Sequence, residues 1–275
     1  MSLIAFTSFA GSPGVSTAAI AAAVHWPRPV LFLEADTNNV GTILTGFFRS
    51  NLETRAGMHQ VSVASSRGEL TLKAMLDPAF EISIPAHDLP YVPSMPIPAI
   101  PTGHKLWVIP GYRELQIIDG VKSIWAKLPG IVSPARDTGL DVILDLGRLG
   151  RDDLRFPLVD AADQVVIVAS SSMSDLNRLH KRARHTDMEE RLKGNGRTKF
   201  STLLVKATAE AVAPAEFARV TVPVLSTLSF DPDGAAVFAT GKEDRKPNRN
   251  LYRRDIREAV AKLADRLRPA IERSA

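Results

Sequence analysis

The chain contains no cysteine, which excludes disulfides, cysteine-ligated metals, iron–sulfur clusters and thiol catalysis and fits a reducing, cytoplasmic compartment. No apolar run approaches the roughly 18 residues needed to span a bilayer. The short apolar start at Leu3–Phe6 carries no positively charged leader, so neither export nor membrane integration is expected. Lysine and arginine are wholly absent from residues 1 to 27, and the first cation, Arg28, lies between Pro27 and Pro29. His25, His59, His87, His104, His180 and His185 show no spaced ligand pattern, which gives a metal-hydrolase reading little support. The formal charge of +4 is modest for 275 residues, so the distribution of charge says more about partners than its sum.

What is present describes one substantial core: 45% of residues are hydrophobic and 23% charged, and a single domain over 1–275 is expected. Buried parallel strands read as short, continuous apolar runs separated by helical stretches. Such runs recur at Leu3–Phe6, Val30–Leu33, Leu106–Ile109, Val142–Leu144, Val165–Val168, Leu203–Val205 and Val224–Leu228. Between them Thr17–Val24, Asp175–Arg184 and Ala209–Ala218 are expected to form helices. The rhythm predicts a doubly wound, mainly parallel α/β sheet with right-handed crossovers placing helices on both faces.

Two stretches break that rhythm. Residues 78 to 102 carry prolines at 78, 85, 90, 93, 96, 98 and 101, a density that opposes helix and central strand and predicts an extended surface insertion, either a rigid solvated loop or a partner-docking segment. Gly241–Asn250 is charged, contains Pro247, and is expected as a loop before a final helix at about 252–267. In that helix Ile256, Val260, Leu263 and Leu267 form one apolar stripe. The stripe has no aromatic residue and Pro269 follows it closely, which favours packing onto the sheet over attachment to a membrane.

The segment from Phe6 to Thr17 follows an apolar run and precedes an alanine-rich one. Its Gly11-Ser12-Pro13-Gly14-Val15-Ser16-Thr17 stretch has the setting of a phosphate-binding loop: glycines let backbone approach phosphate, and a helix N-terminus directs amide hydrogens and a positive dipole toward it. A tight strand-to-helix turn explains the glycines equally well.

Here the sequence resembles the ParA/MinD-like family of P-loop ATPases, whose deviant Walker A loop reads GKGGVGKT followed by Ser or Thr. Phe32-Leu33-Glu34-Ala35-Asp36-Thr37-Asn38 is similar to that family's apolar strand followed by Asp-x-Asp-Pro-Gln. Asp141-Val142-Ile143-Leu144-Asp145 resembles its Walker B strand, and Ala161-Ala162-Asp163-Gln164-Val165 its Ala-Ala-Asp-Glu-Val strand. Val222-Pro223-Val224-Leu225 with Asp231-Pro232 resembles the strand and loop near its adenine site. Together the matches run in order over roughly residues 3 to 242. The resemblance implies ATP or ADP with magnesium as cofactor, held by Gly11 through Thr17 and by Pro232. It also implies that Asp36 positions the attacking water and that Thr17 and Asp145 serve the metal. Gly111 looks like the family's turn beside the nucleotide.

The departures matter as much. Aligned without gaps, Ser12 stands for the family's signature lysine, Thr17 for the Walker A lysine and Ala18 for the magnesium-binding hydroxyl. A shorter alignment puts Ser16 or Thr17 near the metal, but neither register restores a cation. Lys206 stands where the family commonly has an adenine-reading asparagine. Losing charge-assisted bonds worth about 1.5–3 kcal/mol each weakens nucleotide binding.

Two basic clusters are candidates for a phosphate backbone: Arg178, Lys181, Arg182 and Arg184, and Arg245, Lys246, Arg249, Arg253, Arg254 and Arg257. Each reads either as a solvated face or as a surface for non-specific DNA binding. The combined expectation is a ParA/MinD-like homodimer that partitions or positions DNA or a cellular assembly through a protein partner, with weak or absent ATP hydrolysis. A degenerate loop favours a TadZ/CpaE-like member. Two alternatives stay open: an active ATPase holding phosphate through backbone amides alone, and a non-catalytic structural adaptor of a pilus or secretion system.

Overall fold

Successive residues of a strand face opposite sides of its sheet, and in β1 (Leu3–Ser8) both sides are apolar: Leu3 and Ala5 enter one buried cluster, Ile4 and Phe6 the other. Strands of this kind need cover on both faces. The computed structural model describes residues 2–9, 14–38, 41–90, 100–114, 123–193, 199–207 and 211–267. It gathers all seven apolar runs into one sheet. After β1 come β2 (Val30–Glu34), the short β3 (Ile84–Pro85), β4 (Leu106–Ile109), β5 (Asp141–Arg148), β6 (Gln164–Ser170), β7 (Phe200–Val205) and β8 (Val224–Leu228). Their order across the sheet is β3-β4-β2-β5-β1-β6-β7-β8. Every pair is parallel except β3 with β4.

The helices are α1 (Val15–Val24), α2 (Met58–Ser66), α3 (Leu72–Leu76), α4 (Ile124–Val132), α5 (Phe156–Ala161), α6 (Met173–Ala183), α7 (Thr186–Lys193), α8 (Pro214–Val220), α9 (Pro232–Ala239) and α10 (Leu251–Arg266). Buried side chains of α2 to α8 cover one face of the sheet, and those of α1, α9 and α10 cover the other. A helix apolar on every side must be buried on every side, and α1 is: it lies between the sheet and α9 and α10. In α10 the residues Tyr252, Ile256, Val260 and Leu263 are buried against that layer.

Expected helix boundaries move by two residues at the starts of α1 and α6 and by more at α8. Of the helix placed at Ala209–Ala218, residues 209 and 210 lie outside the described residues and the described part begins at Pro214, because proline at the first helical position is favoured while the residue before it is driven extended, and Ala213 sits at φ −63°, ψ 142°. Within the proline-rich stretch, residues 91–99 lie outside the described residues. Its beginning forms single turns at Pro78–Phe80 and Ala86–Asp88 around β3. β3 sits at the sheet edge, where a proline removes no interior ladder bond. Ile82, Ile84 and Ala86 are buried there.

The chain leaves β1 toward β2 on one side, passing over β5, while β6 flanks β1 on the other. In doubly wound sheets the crevice outside the carboxyl ends of the strands at such a reversal is where ligands bind. The carboxyl ends of β1, β2 and β5 meet at this point. Nearby, Ile43–Phe47 forms one turn of π-helix, a conformation that recurs at functional sites. Gly46 of this turn packs so closely on the Ala239 carbonyl that an added Cβ would overlap it. Replacing Gly46 with alanine should therefore destabilise the fold by about 1–3 kcal/mol, measured by denaturant unfolding, whereas alanine at the unobstructed Gly130 should cost less.

Candidate functional site

Gly14 enters α1 in the left-handed conformation, φ 83° and ψ 41°, a conformation that suits glycine. The first intrahelical bond is donated by Ala18 N–H to the Gly14 carbonyl at 2.9 Å. The amides of Val15, Ser16 and Thr17 are thus left to face whatever lies beyond the helix, at its positive end. What lies there is a cavity of about 240 Å³. Gly14, Val15, Ser16 and Thr17 form one wall, Asp36, Gly147 and Arg148 a second, and Thr42, Ile43, Phe238 and Ala239 a third.

Three carboxylates gather beside and behind these walls, all nearly or fully buried: Glu34, Asp36 and Asp145 are 0%, 2% and 0% exposed. Each is handled differently. Glu34 accepts from the Gly111 amide at 2.6 Å, the Ile43 amide at 3.3 Å and the Thr42 hydroxyl, tying the π-helical turn and the loop after β4 to the end of β2. Burial nevertheless raises its pKa. Asp36 accepts from the Asn38 amide at 2.8 Å. Gly147, at φ +54°, wraps so tightly around Asp36 that a side chain there would overlap its carboxylate. Asp145 accepts from the Gly147 amide at 2.9 Å through one oxygen, while the other, Oδ2, is buried with no hydrogen-bond partner. Burial pushes its pKa up to about 7. The Ser16 hydroxyl opposes that shift, and the charges of Glu34 and Asp36 add to it.

Among the described residues a single buried cation answers this charge, and nothing in the sequence pattern pointed to it. Arg155 is 2% exposed, rare for an arginine. It donates to the carbonyls of Ala35 (3.1 Å), Leu146 (2.5 Å) and Arg148 (3.0 Å), and to Asp153 at 2.8 Å. Its guanidinium stands 3.8 Å from Asp36. Arg28 lies elsewhere: it pairs at 2.6 Å with Asp141, the first residue of β5, at the opposite end of that strand from Asp145.

Of the residues expected to form the site, Gly14, Val15, Ser16, Thr17 and Asp36 share the cavity, and Asp145 contacts it through Ser16 and Gly147. Gly11, Ser12 and Pro13 lie outside the described residues. Pro232 starts α9, whose far end supplies Phe238 and Ala239, and does not itself line the cavity. The C-terminal basic cluster is divided. Arg253 is mostly covered, pairs with Asp244 at 2.7 Å and stacks over Phe238. Arg254 pairs with Asp255 and Arg245 with Glu243. Lys246, Arg249 and Arg257 are exposed. Reasoning from sequence missed Arg148, Arg155, Thr42 and Phe238 as neighbours of the site, because each is brought there by contacts distant in the chain.

No family model matches the chain, and no curated protein matches it. Solved structures do. A ParA family ATPase from Chlorobium tepidum superimposes with a TM-score of 0.67 at 17% identity, covering 94% of this chain and 97% of that one. The septum site-determining protein MinD from Pyrococcus horikoshii, complexed with Mg-ADP, gives 0.65 at 14% identity, with 94% of each chain covered. A point variant of McdA from Cyanothece in complex with ATP gives 0.60 at 17% identity, covering 95% of this chain and 96% of that one. The fold is that of the ParA/MinD-like P-loop ATPases.

Two outcomes test this geometry. Replacing Arg155 with methionine strips a buried carboxylate of its cation and leaves three carbonyls without that donor, so unfolding free energy should fall by about 3–5 kcal/mol. Asp145, with its folded pKa above the unfolded value, favours the folded state only while protonated, so its contribution is lost as pH rises from about 4 to about 7. Asp145→Asn should accordingly melt higher than the parent, and the gap measured by calorimetry should widen from pH 5 to pH 8.

Proposed function

We propose that this chain is a ParA/MinD-like positioning or partitioning protein that binds an adenine nucleotide with magnesium weakly and hydrolyses it slowly or not at all. The observation that carries the reading is the cavity itself: the amino end of α1 and Asp36 line it, the buried Asp145 stands behind its Gly147 wall, and α1 and the described residues before it supply no lysine or arginine. Phosphate is favoured by free amides and a helix dipole. The lost lysines each forgo a charge-assisted bond of about 1.5–3 kcal/mol.

A divalent cation fits the residues present. The Asp145 Oδ2 atom is buried without a hydrogen-bond partner, and the hydroxyl-bearing Ser16 and Thr17 line the adjoining cavity. These are hard oxygen donors of the kind magnesium takes. A bound cation would supply positive charge beside the phosphates and a counter-charge for a carboxylate that burial otherwise keeps near its protonation point.

For partners, the reading is a homodimer that engages DNA or an assembly protein, with a TadZ/CpaE-like role in placing a pilus or secretion apparatus as the version that best suits a lysine-free loop. Exposed Lys246, Arg249 and Arg257 support a weak, salt-sensitive DNA surface rather than a strong one, because their neighbours Arg245, Arg253 and Arg254 are already paired with local carboxylates. Among the proteins of similar fold, MinD from Aquifex aeolicus forms a complex with MinC, and one from Borrelia burgdorferi is a plasmid partition protein.

Calorimetric titration with Mg-ATP tests the reading directly. Saturation is expected only at roughly 0.1–1 mM ligand. Absence of heat at millimolar ATP would remove nucleotide binding, and turnover at roughly 1–10 per second would remove the slow-hydrolysis part.

A further inference from the structure

We propose that Arg148 is the phosphate-binding cation of this site: its guanidinium, delivered from the carboxyl end of β5, holds the phosphate chain that α1 and its entry have no lysine to hold. The inference rests on the cavity being a nucleotide site, and assigns its charge to a residue outside the phosphate loop.

The placement follows from the backbone. β5 pairs regularly with β1 from Val142 to Asp145, and then the register shifts, so that Arg148 stands opposite Ser8. Irregularities of this kind re-aim a side chain near the end of a strand. The turn is made at Gly147, whose positive φ and close approach to Asp36 leave room for no side chain. Arg148 is then pinned through its main chain: its carbonyl accepts from Asn38 Nδ2 at 2.9 Å and from Arg155 Nη2 at 3.0 Å, while the next amide, of Leu149, donates to Ser8 at 3.0 Å. A fixed backbone beneath an exposed side chain is what a ligand-gripping arginine needs.

The side chain is available. Arg148 is exposed, and among the described residues its guanidinium makes no ion pair and no hydrogen bond. It is also the only cation among the described residues that line the cavity. The one lining carboxylate, Asp36, already has the Asn38 amide and the Arg155 guanidinium beside it. Three other cations are committed elsewhere. Arg155 spends its donors on three carbonyls and Asp153, Arg182 on the Gly150 carbonyl and the Phe9 ring, and Arg28 on the far end of β5.

The chemistry suits the position. A guanidinium presents paired donors that match phosphate oxygens bidentately, and Arg148 lines the same cavity as Gly14 to Thr17 at the amino end of α1. Three residues earlier on the strand lies Asp145, whose buried Oδ2 lacks a hydrogen-bond partner and so calls for a cation. One segment of β5 thereby carries both the group that would grip phosphate and the carboxylate that would face the accompanying metal.

Calorimetric titration of the full chain with sodium pyrophosphate, and separately with Mg-ATP, tests this on the parent, Arg148→Ala, Arg148→Lys and the exposed control Arg184→Ala. Arg148→Ala should weaken both ligands about 10- to 100-fold, Arg148→Lys should recover part of the loss, and Arg184→Ala should match the parent. All variants should melt with the parent, since the contacts that pin residue 148 are made by its backbone. Equal binding by Arg148→Ala and the parent overturns the inference and leaves the proposed function standing. Equal weakening by Arg184→Ala also overturns it, by assigning the effect to diffuse charge. Failure of the parent to bind either ligand overturns both.

Discussion

The burial of negative charge at the carboxyl ends of β2 and β5 is the constraint around which the site is built. Carboxylates removed from water destabilise a fold unless each finds donors. Glu34 finds them in the Thr42 hydroxyl and the Ile43 and Gly111 amides, and so fastens two loops to one strand end. Asp36 is held by Asn38 and faced by Arg155, and Gly147 closes over it. Asp145 is left with one oxygen unsatisfied and a pKa pushed up to about 7. The unmet demand thus sits at a single atom, next to the helix N-terminus where an anion is favoured.

The cavity and its charges are built from several elements. The fold shared with ParA and MinD ATPases supplies the helix end, the strand crossing and the crevice. Positive charge at the cavity comes from the strand side, where Arg155 is the structural cation and Arg148 the exposed one. Arg155 holds the carbonyls of residues 35, 146 and 148, so the positions of Asp36 and of Arg148 depend on the same buried guanidinium. Loss of that one group would disturb the Asp36 carboxylate and the exposed Arg148 together.

The same logic reduces the basic C-terminal surface. Six cations stand close together between Arg245 and Arg257 in the sequence, but the fold brings Glu243, Asp244 and Asp255 against three of them. Arg253 in addition lies over Phe238, the residue whose helix end lines the cavity. Part of what looks like a charged face is packing between α9 and α10.

The sheet and most of its helices were legible without coordinates. Strands buried on both faces must be continuously apolar, helices buried on one face must repeat every three to four residues, and neither signal needs a long-range contact to be seen. Asp36, Asp145 and the stretch from Gly14 to Thr17 could be placed near one another because each follows an apolar run that had to be a strand. Helix α8 could not be bounded so well, since small residues before Pro214 fit helix and loop alike. Arg148 and Arg155 were beyond reach for a different reason. Whether an arginine is solvated, buried against carbonyls or free beside a cavity is decided by residues more than a hundred positions away, such as Ala35 and Asn38. The layers of the fold and the missing lysine are therefore written locally in the chain. Where positive charge returns to the site is settled only when the strands assemble, because electrostatic partners are set by distance in space.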